Sequence, residues 1–152
     1  MADKIVEHVV GGKAYSGASD RTAPVFDPAL GVATKQVRLA STEDMDAAVQ
    51  AAAAALPGWA GLSMTKRTAI VFRFRELLEA RKGELAEIIT SEHGKVLSDA
   101  LGEITRGQEV VEFACGLPHL LKGEFSLNAS TGVDVYSVKQ PLGVVGIISP
   151  FN

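Results

Sequence analysis

Between Pro141 and Ser149 the chain reads LGVVGII, an unbroken apolar run without a charged or hydroxyl side chain. A run of this length, bounded by proline and turn residues, is the pattern of a strand covered on both faces, as in parallel α/β sheets. Parallel neighbours are joined by crossovers of a dozen or more residues, usually a helix. The stretch therefore calls for an α/β architecture with further strands, yet only Ser149, Pro150, Phe151 and Asn152 follow it. It reads as a first strand, and the chain as the front end of a larger fold. In open α/β sheets ligands lie beyond the carboxyl ends of the strands, which puts Ser149, Phe151 and Asn152 where a site is built.

Two other kinds of structure precede this run. Residues 5–40 read as strands and turns, in two hairpins. Gly11-Gly12 supplies the positive φ angles of a tight turn, and Asp27-Pro28-Ala29-Leu30-Gly31 has a proline to preset φ and a glycine to close the bend. Residues 42 to about 117 read as helices. Ser41-Thr42-Glu43-Asp44 is a capping signature, and the alanines at 51–55 favour a helix that packs closely. Pro57-Gly58 is expected to break that helix, and Ser63 to cap the next. In that next helix Ile70, Val71, Phe74, Leu77 and Leu78 recur at helical spacing as a core face. Gly83 is expected to interrupt it, and Gly94 stands where a left-handed C-cap belongs. A further helix runs from Val96 until Gly116 and Pro118 end it. From Val133, VDVYSVKQ alternates like a half-exposed strand, with a phase slip at Tyr136.

The 152 residues are 47% hydrophobic with a net charge of −3, a composition suited to one globular domain of ordinary size. Lys and Arg are scattered and outnumbered by acids, so the positive field that neutralises phosphate backbones is missing and nucleic acid is not an expected partner. No apolar run approaches the roughly 20 residues that span a bilayer. The opening MADKIVEHVV lacks a basic segment followed by an apolar one, so no targeting leader is expected, and a cytoplasmic location fits. Cys115 is the single cysteine, which excludes an intrachain disulfide. It lies on an apolar helical segment and reads as a structural core residue. His8, His93 and His119 have no partner at zinc-ligand spacing, so no metal is expected. Gly143 and Gly146 fall within the apolar run and do not make a G-x-G-x-x-G fingerprint.

Several stretches together carry a resemblance. F-D-P-A-x-G at 26–31, E-x-G-K from Glu92 to Lys95, P-L-G-V-V-G and the closing P-F-N are similar to the N-terminal part of the aldehyde dehydrogenase superfamily, and the likeness runs essentially end to end. S-E-H-G-K, V-V-E-F-A-C-G-x-P-H-L-L-K-G-E and Y-S-V-x-Q-P-L-G-V-V resemble more narrowly the CoA-acylating methylmalonate or malonate semialdehyde dehydrogenases. The resemblance implies three parts. Residues 1–132 would be the hairpins and helices of the NAD-binding domain, 133–141 an oligomerisation strand, and 142–152 the first strand of a Rossmann-like sheet with its active-site loop. It implies NAD as cofactor, CoA as acyl acceptor, a small semialdehyde as substrate, and a homotetramer or homodimer for the full-length enzyme.

Site roles follow from the same resemblance. Asn152 would donate its amide to the oxyanion formed when a cysteine attacks the aldehyde; losing such a donor typically raises the barrier by about 3 to 4 kcal/mol. On spacing alone, an Asn after Pro-Phe is more often just a turn residue. Ser149 and Phe151 would lay their backbone along NAD. Arg106 would hold the semialdehyde carboxylate, a task that suits a planar guanidinium fork. The alternative for Arg106 is a surface pair with Glu103 or Glu109 at helical spacing. The nucleophilic cysteine and the general-base glutamate of relatives lie beyond Asn152, so the chain alone is expected to be inactive. Two other readings stay open: another aldehyde dehydrogenase, acting on succinate semialdehyde or betaine aldehyde, and a non-catalytic assembly module.

Overall fold

The computed structural model describes residues 4–150. Its fold is mixed α/β. Three short strands come first, β1 (Ile5–Val6), β2 (His8–Val10) and β3 (Lys13–Tyr15), followed by the longer β4 (Thr22–Asp27) and β5 (Val32–Arg38). β2 and β3 form the hairpin expected at Gly11-Gly12, both glycines having positive φ. β4 and β5 pair antiparallel across the Asp27–Gly31 turn, and β1 adds to β5 in parallel, giving the order β1-β5-β4. The turn is closed from within. Asp27 Oδ1 accepts from the Ala29 and Leu30 amides, and the Gly31 amide donates to the Asp27 carbonyl at 2.8 Å.

Five helices follow: α1 (Thr42–Ala60), α2 (Met64–Ala80), α3 (Lys82–His93), α4 (Leu97–Cys115) and the one-turn α5 (Leu117–Leu120). Ser41 caps α1, and Asp44 completes a reciprocal capping box with it. Pro57 does not break α1 as expected; the helix continues to Ala60. In the last turn proline removes a single backbone bond, and its own carbonyl still accepts from Gly61 at 3.0 Å. The break between α2 and α3 falls at Arg81, and Gly83 lies inside α3. Arg81 leaves helical φ/ψ and clamps Glu84 through two guanidinium bonds, so the new helix starts before the glycine is reached. Gly94 ends α3 in the left-handed conformation, φ +86°, as expected.

The core is thin and sits between α3 and α4. Ala86 and Ala100 are fully buried and Ile104 nearly so, with Leu85, Ile89 and Leu101 packed around them. Two facing alanines let the helix backbones approach closely. The stripe on α2 is not the core face the periodicity suggests, because Ile70, Phe74 and Leu77 are each about half exposed. The alanines at 52–55 are exposed too. Helical spacing establishes that one face is apolar, but burial needs full coverage by a second surface, and the contacts of α2 with α3 and α4, and of α1 with β2, cover these stripes only in part.

β6 (Phe125–Ser130) and β7 (Val133–Tyr136) form a two-stranded antiparallel ribbon with every residue exposed. β7 ends at Tyr136 rather than continuing through Val138, so the expected phase slip is the end of the ladder. β6 was not anticipated, although F-S-L-N-A-S alternates at period two and Thr131-Gly132 offers a turn. Asn128 adopts φ +50°, and its amide donates to Asp134 Oδ1 at 2.9 Å, where the register shifts. The expected strand at 142–148 pairs with no described residue. Leu142, Ile147 and Ile148 are almost wholly exposed. A strand exists only as part of a ladder, and the neighbours this run demands are not among the described residues.

No described helix is long and apolar enough to cross a membrane.

Candidate functional site

Arg106 sits in the middle of α4, a helix whose N-cap residue, Val96, makes no side-chain capping bond and which packs against α2 and α3. The guanidinium faces outward with its side chain 81% exposed, and Nη1 donates to both carboxylate oxygens of Glu109, at 2.9 and 3.2 Å. Glu103, the other partner considered, is taken by Lys95 instead. The helical-spacing pair therefore forms. An exposed pair of this kind contributes only a few tenths of a kcal/mol, so exchanging Glu109 for an incoming carboxylate costs little.

Ser149 is exposed and makes no hydrogen bond with any described residue, and no hydrogen bond or ion pair joins it to Arg106. Phe151 and Asn152 lie outside the described residues. Cys115 is a free thiol, half-buried at the end of α4. No group of three or more His, Cys, Asp or Glu suited to a metal occurs among the described residues.

Two of the motifs singled out in the sequence meet each other rather than a ligand. Gly94, from S-E-H-G-K, packs against the F-D-P-A turn so closely that a Cβ there would lie 2.8 Å from Pro28 Cγ. Glu92, two residues earlier, forms an ion pair with Lys35 of β5. Both motifs thus dock α3 onto the β4–β5 hairpin and set the start of α4. They place Arg106 indirectly.

Asp44 is the best-held charged group. It is 3% exposed and accepts from the Ser41 amide at 2.8 Å, the Ala18 amide at 2.6 Å and the Tyr15 hydroxyl at 3.1 Å. The Ser41 and Ala18 amides hold its carboxyl well below the usual carboxylate range, with Ser41 and Tyr15 side chains adding to them. The same bond pushes the Tyr15 phenol up, because its proton is held by a carboxylate. The capping role was legible in Ser41–Asp44, but the contact with Tyr15, far away in sequence, had no local signal. A second ionic node joins α2 to α4. Arg75 donates twice to Glu112 Oε1, at 2.8 and 2.9 Å, and Gln108 adds a third bond at 3.2 Å. Arg75 first, then Gln108, holds the Glu112 carboxyl below its ordinary value.

The chain is 42% identical over 147 residues to the malonate-semialdehyde dehydrogenase of Pseudomonas aeruginosa, covering 97% of this chain and 29% of that one. It is 42% identical over 147 residues to the mitochondrial, acylating methylmalonate-semialdehyde dehydrogenase of Arabidopsis thaliana, covering 97% of this chain and 24% of that one. A solved structure from Sinorhizobium meliloti 1021, assigned as a methylmalonate-semialdehyde dehydrogenase and complexed with NAD, superposes with a TM-score of 0.89 at 43% identity. That match covers 94% of this chain and 29% of the other. The chain thus spans less than a third of the length of these relatives. The aldehyde dehydrogenase family model matches residues 15–152, and on that match and these identities the chain belongs to the aldehyde dehydrogenase family.

Proposed function

We propose that this chain acts as the N-terminal portion of an NAD-dependent, CoA-acylating methylmalonate- or malonate-semialdehyde dehydrogenase of the cytoplasm. The observation that carries the reading is the end-to-end likeness, at 42% identity, to relatives named for each of these two semialdehydes. In the reaction, a cysteine thiolate contributed by sequence beyond Asn152 adds to the aldehyde carbon. The resulting thiohemiacetal gives up a hydride, the carboxyl group leaves as carbon dioxide, and the acyl group passes to CoA. NAD supplies the hydride acceptor. The chain's own contribution is to hold and polarise.

Asn152 donates its amide to the oxygen that gains charge when the thiolate adds. The exposed backbone leading to Ser149, unused in any ladder among the described residues, fits the flank of an extended cofactor, and Phe151 shares that role in this reading. Arg106 takes the substrate carboxylate, releasing Glu109 to water. The nucleophile, the general base and the grip on the adenosine ribose come from elsewhere, so the chain by itself forms no NADH.

A chimaera tests this reading. This chain replaces the corresponding N-terminal residues of the Pseudomonas relative, and NADH is followed with semialdehyde, NAD and CoA. The chimaera is expected to be active and the isolated chain inactive. Asn152→Ala lowers kcat by about 10²- to 10³-fold. Arg106→Leu raises KM for the carboxylate-bearing substrate while leaving an uncharged aldehyde unaffected. NADH production by the isolated chain would overturn the assignment of roles.

The β6–β7 ribbon favours an assembly role beside the catalytic one. Phe125, Leu127 and Tyr136 are each at least 64% exposed on it, and free strand edges are templates for pairing. Light scattering showing a defined dimer or tetramer of the chimaera, lost on deleting residues 125–136, is the expected result.

A further inference from the structure

The feature that the proposed reaction leaves unused is a cleft of about 360 Å³ where the α1–α2 corner meets α5 and the segment after β7. Met64, Arg67, Leu121, Lys139, Gln140 and Pro141 line it. Its two charged side chains are both cations, and no acid lines it.

Neither cation has a carboxylate partner among the described residues. Arg67 Nε is buried without an acceptor, and the guanidinium reaches only Met64 Sδ, a weak acceptor, at 2.8 Å. Lys139 makes no ion pair or hydrogen bond with any described residue. The local backbone adds to the imbalance. The first turn of α2 holds Lys66 and Arg67 and no acid, although the N-terminus of a helix is its positive end. Positive charge from two separate segments and a helix terminus therefore converges on one cleft with donors left over. A phosphate group matches this arrangement: it offers several acceptor oxygens, can face a guanidinium fork and an ammonium together, and carries the charge the cleft lacks.

We propose that this cleft is an oxyanion site for a phosphate group, held by the Arg67 guanidinium and the Lys139 ammonium, with the Gln140 amide as a further donor. The site is independent of the reaction proposed above. Inorganic phosphate is titrated into the chain at constant ionic strength, with chloride as the control, and proton–nitrogen correlation spectra follow the Arg67 Nε–H and the Gln140 side-chain amide. Saturable shifts confined to residues 63–67 and 139–140, seen in phosphate and absent in chloride, are expected. Lys139→Gln, at an exposed position where folding is not at stake, weakens binding about tenfold. Arg67→Gln abolishes it. A parallel titration with adenosine monophosphate separates two sources of the same group: tighter binding than inorganic phosphate assigns the cleft to a phosphate monoester, and equal binding to free phosphate. Shifts that are unsaturable or equal in chloride, or an unchanged affinity in Lys139→Gln, overturn the proposal.

Discussion

The helices α1 and α2 begin with the same device, a serine N-cap, and are otherwise opposites. At α1, Ser41 is joined by Glu43 and Asp44 in the first turn, and Asp44 reaches back to the Ser41 amide and outward to Ala18 and Tyr15. At α2, Ser63 accepts from the Lys66 amide at 3.3 Å, and the first turn carries two cations and no acid. One helix start is neutralised from inside the chain. The other is left positive, beside the cleft that holds Lys139. An acid in the first turn both satisfies orphan amides and suits the helix dipole, and α2 has none.

The largest effect is expected from Asp44→Ala, which removes the acceptor for three donors at once. Its loss of melting temperature, followed by circular dichroism, should exceed that of Gly17→Ala, Ser41→Ala or Ser63→Ala. The same carboxylate gives α1 a pH dependence. Because its pKa is lowered on folding, its stabilising contribution is complete above the ordinary carboxylate value of 3.8 and is lost as pH falls below that value toward the depressed one. Asp44→Asn should flatten this acid limb, and an unchanged acid limb would show that other carboxylates control it. Next comes Gly17→Ala. At φ +77°, with a new Cβ falling 2.9 Å from Asp44 Oδ1, it should destabilise by about 1–3 kcal/mol. Ser41→Ala should cost about 1 kcal/mol, and Ser63→Ala less, because Ser63 has no reciprocal partner. The smallest change has the opposite sign. Lys66→Glu places an acid at the uncompensated N-terminus of α2 and should stabilise by about 0.3–1 kcal/mol, read from urea unfolding. If Lys66→Glu destabilises instead, the two helix starts do not differ in the way drawn here.

Much of the local structure was legible in the residue order. The hairpin turns at Gly11-Gly12 and Asp27–Gly31, the caps at Ser41 and Ser63 and the left-handed end at Gly94 all depend on interactions within a few residues, and all form. Pro57 and Gly83 were read as breakers because their propensities are unfavourable, but context overrode both: position in a last turn at Pro57, and the Arg81–Glu84 clamp ahead of Gly83. The face of α2 was legible as apolar and not as exposed, since Ile70 and Phe74 carry no information about what stands opposite them. The site divides in the same way. Arg106 was recognised as a carboxylate-binding candidate by resemblance, with Glu103 or Glu109 as its local alternative, and the structure pairs it with Glu109. The Arg67–Lys139 cleft had no sequence signal, because its cations come from segments about half the chain apart.

By itself, then, the sequence determined the order and kind of most elements, β6 and the run at 142–148 excepted, together with the turn chemistry, the capping box and, through its motifs, the aldehyde dehydrogenase family. Those properties are written in contacts between near neighbours. Tertiary structure alone decided that Tyr15 binds Asp44, that Gly94 docks on Pro28 and that the core is the Ala86–Ala100–Ile104 contact. The physical reason is that burial and pairing belong to two surfaces at once. A single stretch of sequence specifies only one of them.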